Sequence, residues 1–274
     1  MAMEIIKTDW EASLNDMITT LRSSKYQHID DFYTILTHDI SLYIAIRQID
    51  SYHEIMTTAK YCLSQGCRFD HKVYLKIGND GDKIYNKQAQ YVMNFHELKS
   101  AIVWYNSALD YILQIIYFGF GFHKSILTSN NFRNEQINVK WNKQATFYKS
   151  FENFAKKNQN AKKVFDKYNA IRDDKNVTLI RKLANHMKHH GGFDMAECIK
   201  NQRGDLKLRV NDKIINLNKI TKREIVSYKK IVNSLMETHN TITTFGDYII
   251  EQLGFAEQIY DMSNIKRLQK FRYK

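Results

Sequence analysis

The sequence predicts an all-α fold, an up-and-down bundle of long helices carrying one small β-hairpin insert. Three observations predict it. The 274 residues contain no proline, where average usage would place about 14, so no pyrrolidine ring breaks a helix or removes an amide donor. Only 10 glycines occur, which leaves few flexible joints. Apolar residues recur at steps of three, four and seven over long stretches, the signature of a helix with one buried face. A hydrophobic fraction of 43% with 13% aromatics suffices for a core and argues against disorder.

The elements follow in chain order. A short helix is expected at 8–23. A longer one covers 29–63, with a candidate break at Asp50-Ser51. Arg68 to Asp82 reads as loop, because Gly78, Asn79, Asp80 and Gly81 cluster there. A long helix runs over 86–118, carrying Leu98, Ile102, Leu109, Ile112 and Ile116, and the Gly119-Phe-Gly121 pair ends it. Tyr111, Tyr117, Phe118, Phe120 and Phe122 fit bundle or dimer core, with base stacking as the other reading, and Trp104 and Tyr105 fit core. Shorter helices are expected at 144–156, 159–171 and 177–190. Residues 206–217 alternate around Asn211-Asp212 and read as a small hairpin, with an irregular loop as the other reading. From Lys222 to Leu253 one apolar stripe includes Ile225, Tyr228, Val232, Leu235, Ile242, Phe245 and Ile249. Thr221 and Glu224 have capping-box spacing before it, and Gly254 follows it. A basic tail at 264–274 closes the chain. No repeat of solenoid length and no interior linker is visible, so 1–274 reads as a single domain.

Composition narrows function. Lys and Arg total 41 against 29 Asp and Glu, a formal charge of +12, which suits a polyanionic partner. Basic runs lie at Lys182–His190, Lys222–Arg223, Lys229–Lys230 and in the tail. The three cysteines Cys62, Cys67 and Cys198 lack metal-knuckle spacing and suggest a reducing, cytoplasmic setting. The N-terminal residues show no signal-peptide pattern. The longest apolar stretch, Tyr111–Phe122, is too short to span a bilayer, so no membrane role is expected. Patterns for P-loops, dinucleotide folds, α/β-hydrolases and EF-hands do not occur.

The densest chemistry is the helix at about 177–190. Asp173, Asp174 or Asn176 can cap its start, and Gly191-Gly192 can end it. On a 100° wheel Val177, Ile180, Leu183, Ala184 and Met187 form the buried face. Arg181 and Lys188 flank that face on one side, His186 and His190 on the other. Asn185 and His189 point outward. Histidine suits proton transfer in RNA cleavage, since its ordinary pKa lies near neutrality. Arginine offers a planar fork of donors to phosphate. Arg181 and His186 stand about 140° apart on the helix, which favours a second copy across a two-fold axis. The histidines at 186, 189 and 190 also have spacing that could share a metal, but no HExxH is present and none is assigned.

Arg181-Lys-Leu-Ala-Asn-His186 resembles the R-x4-6-H motif of the HEPN superfamily, the higher eukaryote and prokaryote nucleotide-binding domains. The resemblance implies an all-α bundle bearing the motif on a late helix, often as a homodimer. It implies metal-independent endoribonuclease activity without a cofactor, in toxin–antitoxin or phage-defence systems with an antitoxin or regulatory partner. Other members bind nucleotide, RNA or protein without cutting. By this resemblance Arg181 and His186 are the catalytic pair, and Asn185, Lys182, Lys188, His189 and His190 support RNA binding. Lys182 departs from the Asn, Asp or His common after the family's arginine, and points toward the non-cutting alternative. The spacing has low specificity. Composition predicts about one match by chance, and Arg22/His28 and Arg47/His53 also fit.

Overall fold

The computed structural model describes residues 9–26, 40–69, 74–76, 83–85, 87–124, 128–141, 145–189, 192–199, 207–210, 213–216 and 224–254. Its helices are α1 (Asp9–Thr19), α2 (Ile40–Gly66), α3 (Lys87–Gly119), α4 (Ser129–Asn138), α5 (Thr146–Ala155), α6 (Gln159–Asp173), α7 (Lys175–His189), the single turn α8 (Ala196–Ile199) and α9 (Tyr228–Gln252). The fold is all-α, as the helical periodicity predicts.

Helix α3 is the axis of the bundle. It packs along α2 over most of its length and also meets α7, α8 and α9. Leu98, Ala101, Ile102, Tyr105, Ala108, Leu109, Ile112, Leu113 and Ile116 are fully buried on it. Towards its C-terminus Ile115, Tyr117 and Phe118 are buried as well, so this end of the helix is apolar over most of its circumference. Gly66 lets α2 approach it closely, since a Cβ there would lie 2.6 Å from Leu98 Cδ2. The α3 end is a Schellman motif: Phe122 N donates to Tyr117 O and Gly121 N to Phe118 O, with Gly121 at φ 70°. Trp104 is 37% exposed, contrary to its expected core position. It sits one residue round the helix from Tyr105, which takes the inward direction.

An aromatic cluster fills the end of the bundle beside α5 and α6. Phe147 and Phe151 on α5 meet Phe122 from the α3 end, and Phe151 meets Phe165 and Tyr168 on α6. Asn158 caps α6 by accepting from Ala161 N at 2.9 Å. One residue, Asp174, then separates α6 from α7. Its amide donates back to Ile171 O, while its carboxylate accepts from Asn176 N and Val177 N at 2.8 and 2.9 Å. That single cap ends one helix and starts the next, making a tight corner.

Several expectations are corrected. Helix α2 continues through Asp50-Ser51 without a break. Within the stretch read as loop, Tyr74–Lys76 (β1) pairs antiparallel with Lys83–Tyr85 (β2). Asp194–Met195 (β3) pairs parallel with Ile225–Val226, a strand the helical stripe had absorbed. The expected hairpin forms from Lys207–Val210 (β4) and Lys213–Asn216 (β5), with Val210 opposite Lys213; Ile225–Val226 is therefore β6. Helix α9 begins at Tyr228, capped by Ser227 accepting from Lys230 N, rather than at a Thr221 capping box. Glu224 serves elsewhere: its carbonyl accepts from Asp194 N and its carboxylate meets Lys182. The tail at 264–274 and residues His28, His190, Gly191 and Thr221 lie outside the described residues.

Among the described residues no helix is long and apolar enough to cross a membrane.

Candidate functional site

The corner between α6 and α7 builds the site. Val177, Ile180, Leu183 and Ala184 bury one face of α7 against the bundle, and α3 and α9 hold that face in place. Ser234 on α9 donates to Asn176 Oδ1 at 3.1 Å, fixing the first turn. Gly192, at φ 97°, follows the helix, and its amide donates to His186 O. The outward side of α7 is thereby presented to the last turn of α6 and to Trp141, which precedes α5.

A groove of about 370 Å³ lies there, lined by Trp141, Arg172, Thr178, Arg181, Lys182, Asn185 and His186. Four of the seven sequence-predicted site residues therefore share one concavity of a single chain. Lys188 and His189 are exposed on α7 and do not line it. Arg181 and His186, which the wheel separates widely, both reach the groove because it opens on the outward side between them.

Arg181 is held on two sides. Its guanidinium carbon lies 4.5 Å from the centroid of the Trp141 ring, a cation–π contact. Its Nη1 faces Asp110 Oδ1 of α3 at 3.7 Å, beyond hydrogen-bond distance. The sequence offers two acids on the 86–118 helix, Glu97 and Asp110, as polar partners for a site arginine, and Asp110 is the one beside Arg181. The pair does not stabilise both charges fully. Burial pulls the Arg181 pKa down despite Asp110, and burial pushes Asp110 up despite Arg181 and Lys188. Lys182 donates to Glu224 Oε1 at 2.9 Å, which turns it across the groove rim toward β6.

Arg172 and Trp141 belong to the groove although no motif includes them. The guanidinium of Arg172 lies over Tyr148 and Tyr168, 5.0 and 5.6 Å from their centroids. Tyr168 in turn meets Trp141 edge-on at 5.2 Å. The aromatic cluster of the bundle end thus continues into the site and carries two arginines on its surface. Thr178 Oγ1 donates to Arg172 O across the Asp174 corner at 3.2 Å.

Of the rival Arg/His pairs, the described residues lie at a second cavity, of about 600 Å³, between α2, α9 and the segment after α1. Arg22, Arg47 and His53 all line it. Arg22 is committed to the fold: its Nη2 reaches Asp247 Oδ2 at 2.9 Å and its Nη1 reaches Thr244 at 3.1 Å. Arg47 meets Asp50 at 3.3 Å, and Glu54 adds a second carboxylate to the wall. Beneath them His239 Nε2 donates to Arg22 O at 2.7 Å. A carbonyl only accepts, so Nδ1 must accept from Tyr105 Oη, 2.9 Å away. Burial lowers the His239 pKa to about 4, and Lys60 adds to that.

Among the described residues no three His, Cys, Asp or Glu side chains gather closely enough to hold a metal ion. Cys67 is buried with its thiol pushed up to about 12 by burial, unsuited to thiolate chemistry. No known protein family, curated protein or solved structure matches the chain.

Proposed function

We propose that this chain is a HEPN-like RNA-binding protein that cleaves RNA without a metal, as a homodimer of toxin–antitoxin or phage-defence type, in the cytoplasm. The observation that carries the proposal is the placement of Arg181, Lys182, Asn185 and His186 along one groove. His186 acts as general base, taking the proton of the ribose 2′-hydroxyl as that oxygen attacks phosphorus. Arg181 stabilises the charge that gathers on the phosphoryl oxygens. The phosphorus–O5′ bond breaks, and an imidazolium returns a proton to the leaving oxygen. The products are a 2′,3′-cyclic phosphate and a 5′-hydroxyl. A second copy would supply a second imidazole for the acid step, and an antitoxin or regulator would act by covering the groove.

A second reading, binding without cleavage, draws on Lys182. It replaces the Asn, Asp or His common after the family's arginine and is engaged with Glu224. The two readings part on one experiment. Wild-type protein, Arg181→Ala and His186→Ala are incubated with mixed single-stranded RNA in EDTA. Each substitution should slow cleavage at least about 100-fold. Equal rates for all three would overturn the catalytic assignment, and gel-shift binding without any cleavage by wild type would establish the second reading.

A further inference from the structure

Four polar atoms behind the groove lack hydrogen bonds, although one of them, Arg181 Nη1, keeps its 3.7 Å ion pair with Asp110. Arg172 Nε and Nη1, Arg181 Nη1 and Tyr168 Oη are sealed from solvent, with no hydrogen bond among the described residues. Buried donors in native proteins are nearly always satisfied, and an orphaned charged donor is costly. Two of these side chains are cationic, and no carboxylate among the described residues pairs with Arg172. The aromatic stacking does not satisfy them. A guanidinium resting on a ring uses its flat face and leaves its in-plane N–H fork for an oxygen acceptor. The guanidinium carbon of Arg172 lies 5.0 and 5.6 Å from the Tyr148 and Tyr168 centroids and that of Arg181 4.5 Å from the Trp141 centroid, and none of these contacts gives a sealed nitrogen an acceptor.

The arrangement has the chemistry of an anion site awaiting its anion. Arg172, Arg181 and Lys182 bring three cations to one groove. The acids beside them are Asp110, at 3.7 Å from Arg181, and Glu224, whose Oε1 accepts from Lys182 and whose Oε2 is itself buried without a hydrogen bond among the described residues. The corner at Asp174 sets the last turn of α6 against the first turns of α7, so the two forks serve one concavity. A phosphate group offers tetrahedral oxygens that such a pair of forks can share.

We infer that Arg172 is a second phosphate-binding residue, which grips, together with Arg181, one phosphate of an RNA strand or of a free nucleotide in the α6–α7 groove. This rests on the reading of that groove as an RNA site. The aromatic shelf beneath the forks keeps their stems in place while small rotations bring the sealed nitrogens onto the phosphate. Trp141, at the groove edge, bounds the space left for the sugar and base.

The test is a binding measurement with a strand that cannot be cut. Fluorescence anisotropy with a labelled 2′-O-methyl RNA is recorded over a range of salt for wild type, Arg172→Met, Arg172→Lys and Arg181→Met. Methionine keeps the packing on Tyr148 and Tyr168, and circular dichroism confirms that each variant folds. Arg172→Met should weaken binding about tenfold and lower the salt slope by about one. Arg172→Lys should restore the slope but only part of the affinity, since a point charge replaces the fork. Adenosine 5′-monophosphate and unlabelled RNA are added as competitors beside adenosine. Competition by the monophosphate and not by adenosine places the phosphate itself in the groove. Binding of the nucleotide without RNA binding keeps the phosphate site and removes the RNA reading. Unchanged affinity and slope in Arg172→Met, with Arg181→Met impaired, overturns the inference and leaves the RNA reading standing. Displacement by adenosine as strong as by its monophosphate also overturns it, and failure of wild type to bind either ligand overturns both.

Discussion

Two cavities in this bundle hold the same ingredients, arginine and histidine at motif spacing, and they differ in what the arginines touch. In the cavity over α2 and α9, Arg22 is tied to Asp247 at 2.9 Å and Arg47 to Asp50 at 3.3 Å. In the groove at the α6–α7 corner, Arg181 is 3.7 Å from its carboxylate and rests on an indole. Arg172 rests on two phenol rings. Charge tied to a buried carboxylate, as Arg22 is to Asp247, holds the fold together. Charge supported by aromatic surface and left short of acceptors is available to a ligand. Residue spacing cannot separate these cases, whereas accounting for each donor can.

The largest effect that would sharpen the contrast is at Asp247. Its carboxylate accepts from Arg22, from Ser24 Oγ at 2.6 Å and from Lys25 N at 3.2 Å, and its side chain is 3% exposed. Asp247→Ala strands all three donors and should cost about 4 kcal/mol in urea unfolding. Arg181→Met, which keeps the stem against Trp141, should cost under about 1 kcal/mol. If the two substitutions cost the same, the groove arginine is structural and the contrast between the cavities fails.

How much of this could be read from the sequence follows from where the signal sits. Helices α3 and α9 carry long apolar stripes, and both are legible for that reason. Helix α4 has the sequence SNNFRNEQIN, with no stripe to reveal it. The strands β1 and β2 have three residues each, too few for alternation to show, and their glycine-rich surroundings resemble loop. The Thr221/Glu224 spacing imitates a cap, yet Ser227 is the residue that bonds the α9 amide. In the site, Asp110 is one of two acids on α3, with Glu97, that could partner an arginine, and the pattern alone does not choose between them. Arg172 is not readable, because its closeness to Arg181 arises from a one-residue corner at Asp174, and no periodicity records a corner. Trp141 lies outside any helix, so nothing periodic points to it.

The second cavity should also respond to pH, with a smaller effect. His239 has its ring nitrogens engaged by Tyr105 and the Arg22 carbonyl, and burial lowers its pKa to about 4. The unfolded chain protonates this imidazole near its ordinary value of 6.5, whereas the folded protein resists. The unfolded state therefore binds more protons between these values, and stability rises with pH across the window. The contribution is fully present above about pH 6.5 and is lost as pH falls toward 4, in all about 3 kcal/mol. Urea midpoints from pH 4 to 7 should show this slope in wild type, and His239→Gln should flatten it. An unchanged slope in the variant would assign the pH dependence to another group and leave His239 a packing residue.

The smallest effect tests the groove side of the contrast. Asp110 is half exposed and sits beyond hydrogen-bond reach of Arg181, so it adds little to stability and competes for the arginine that a phosphate needs. Asp110→Asn keeps the shape and removes the negative charge. Unfolding stability should change by less than about 0.5 kcal/mol, as for exposed ion pairs generally. Affinity for the uncleavable RNA should rise about threefold at low salt, and the gain should shrink as salt screens the groove. A fall in affinity would mean that Asp110 positions the guanidinium for its ligand rather than restraining it, and that the carboxylate belongs to the site on the same footing as Trp141.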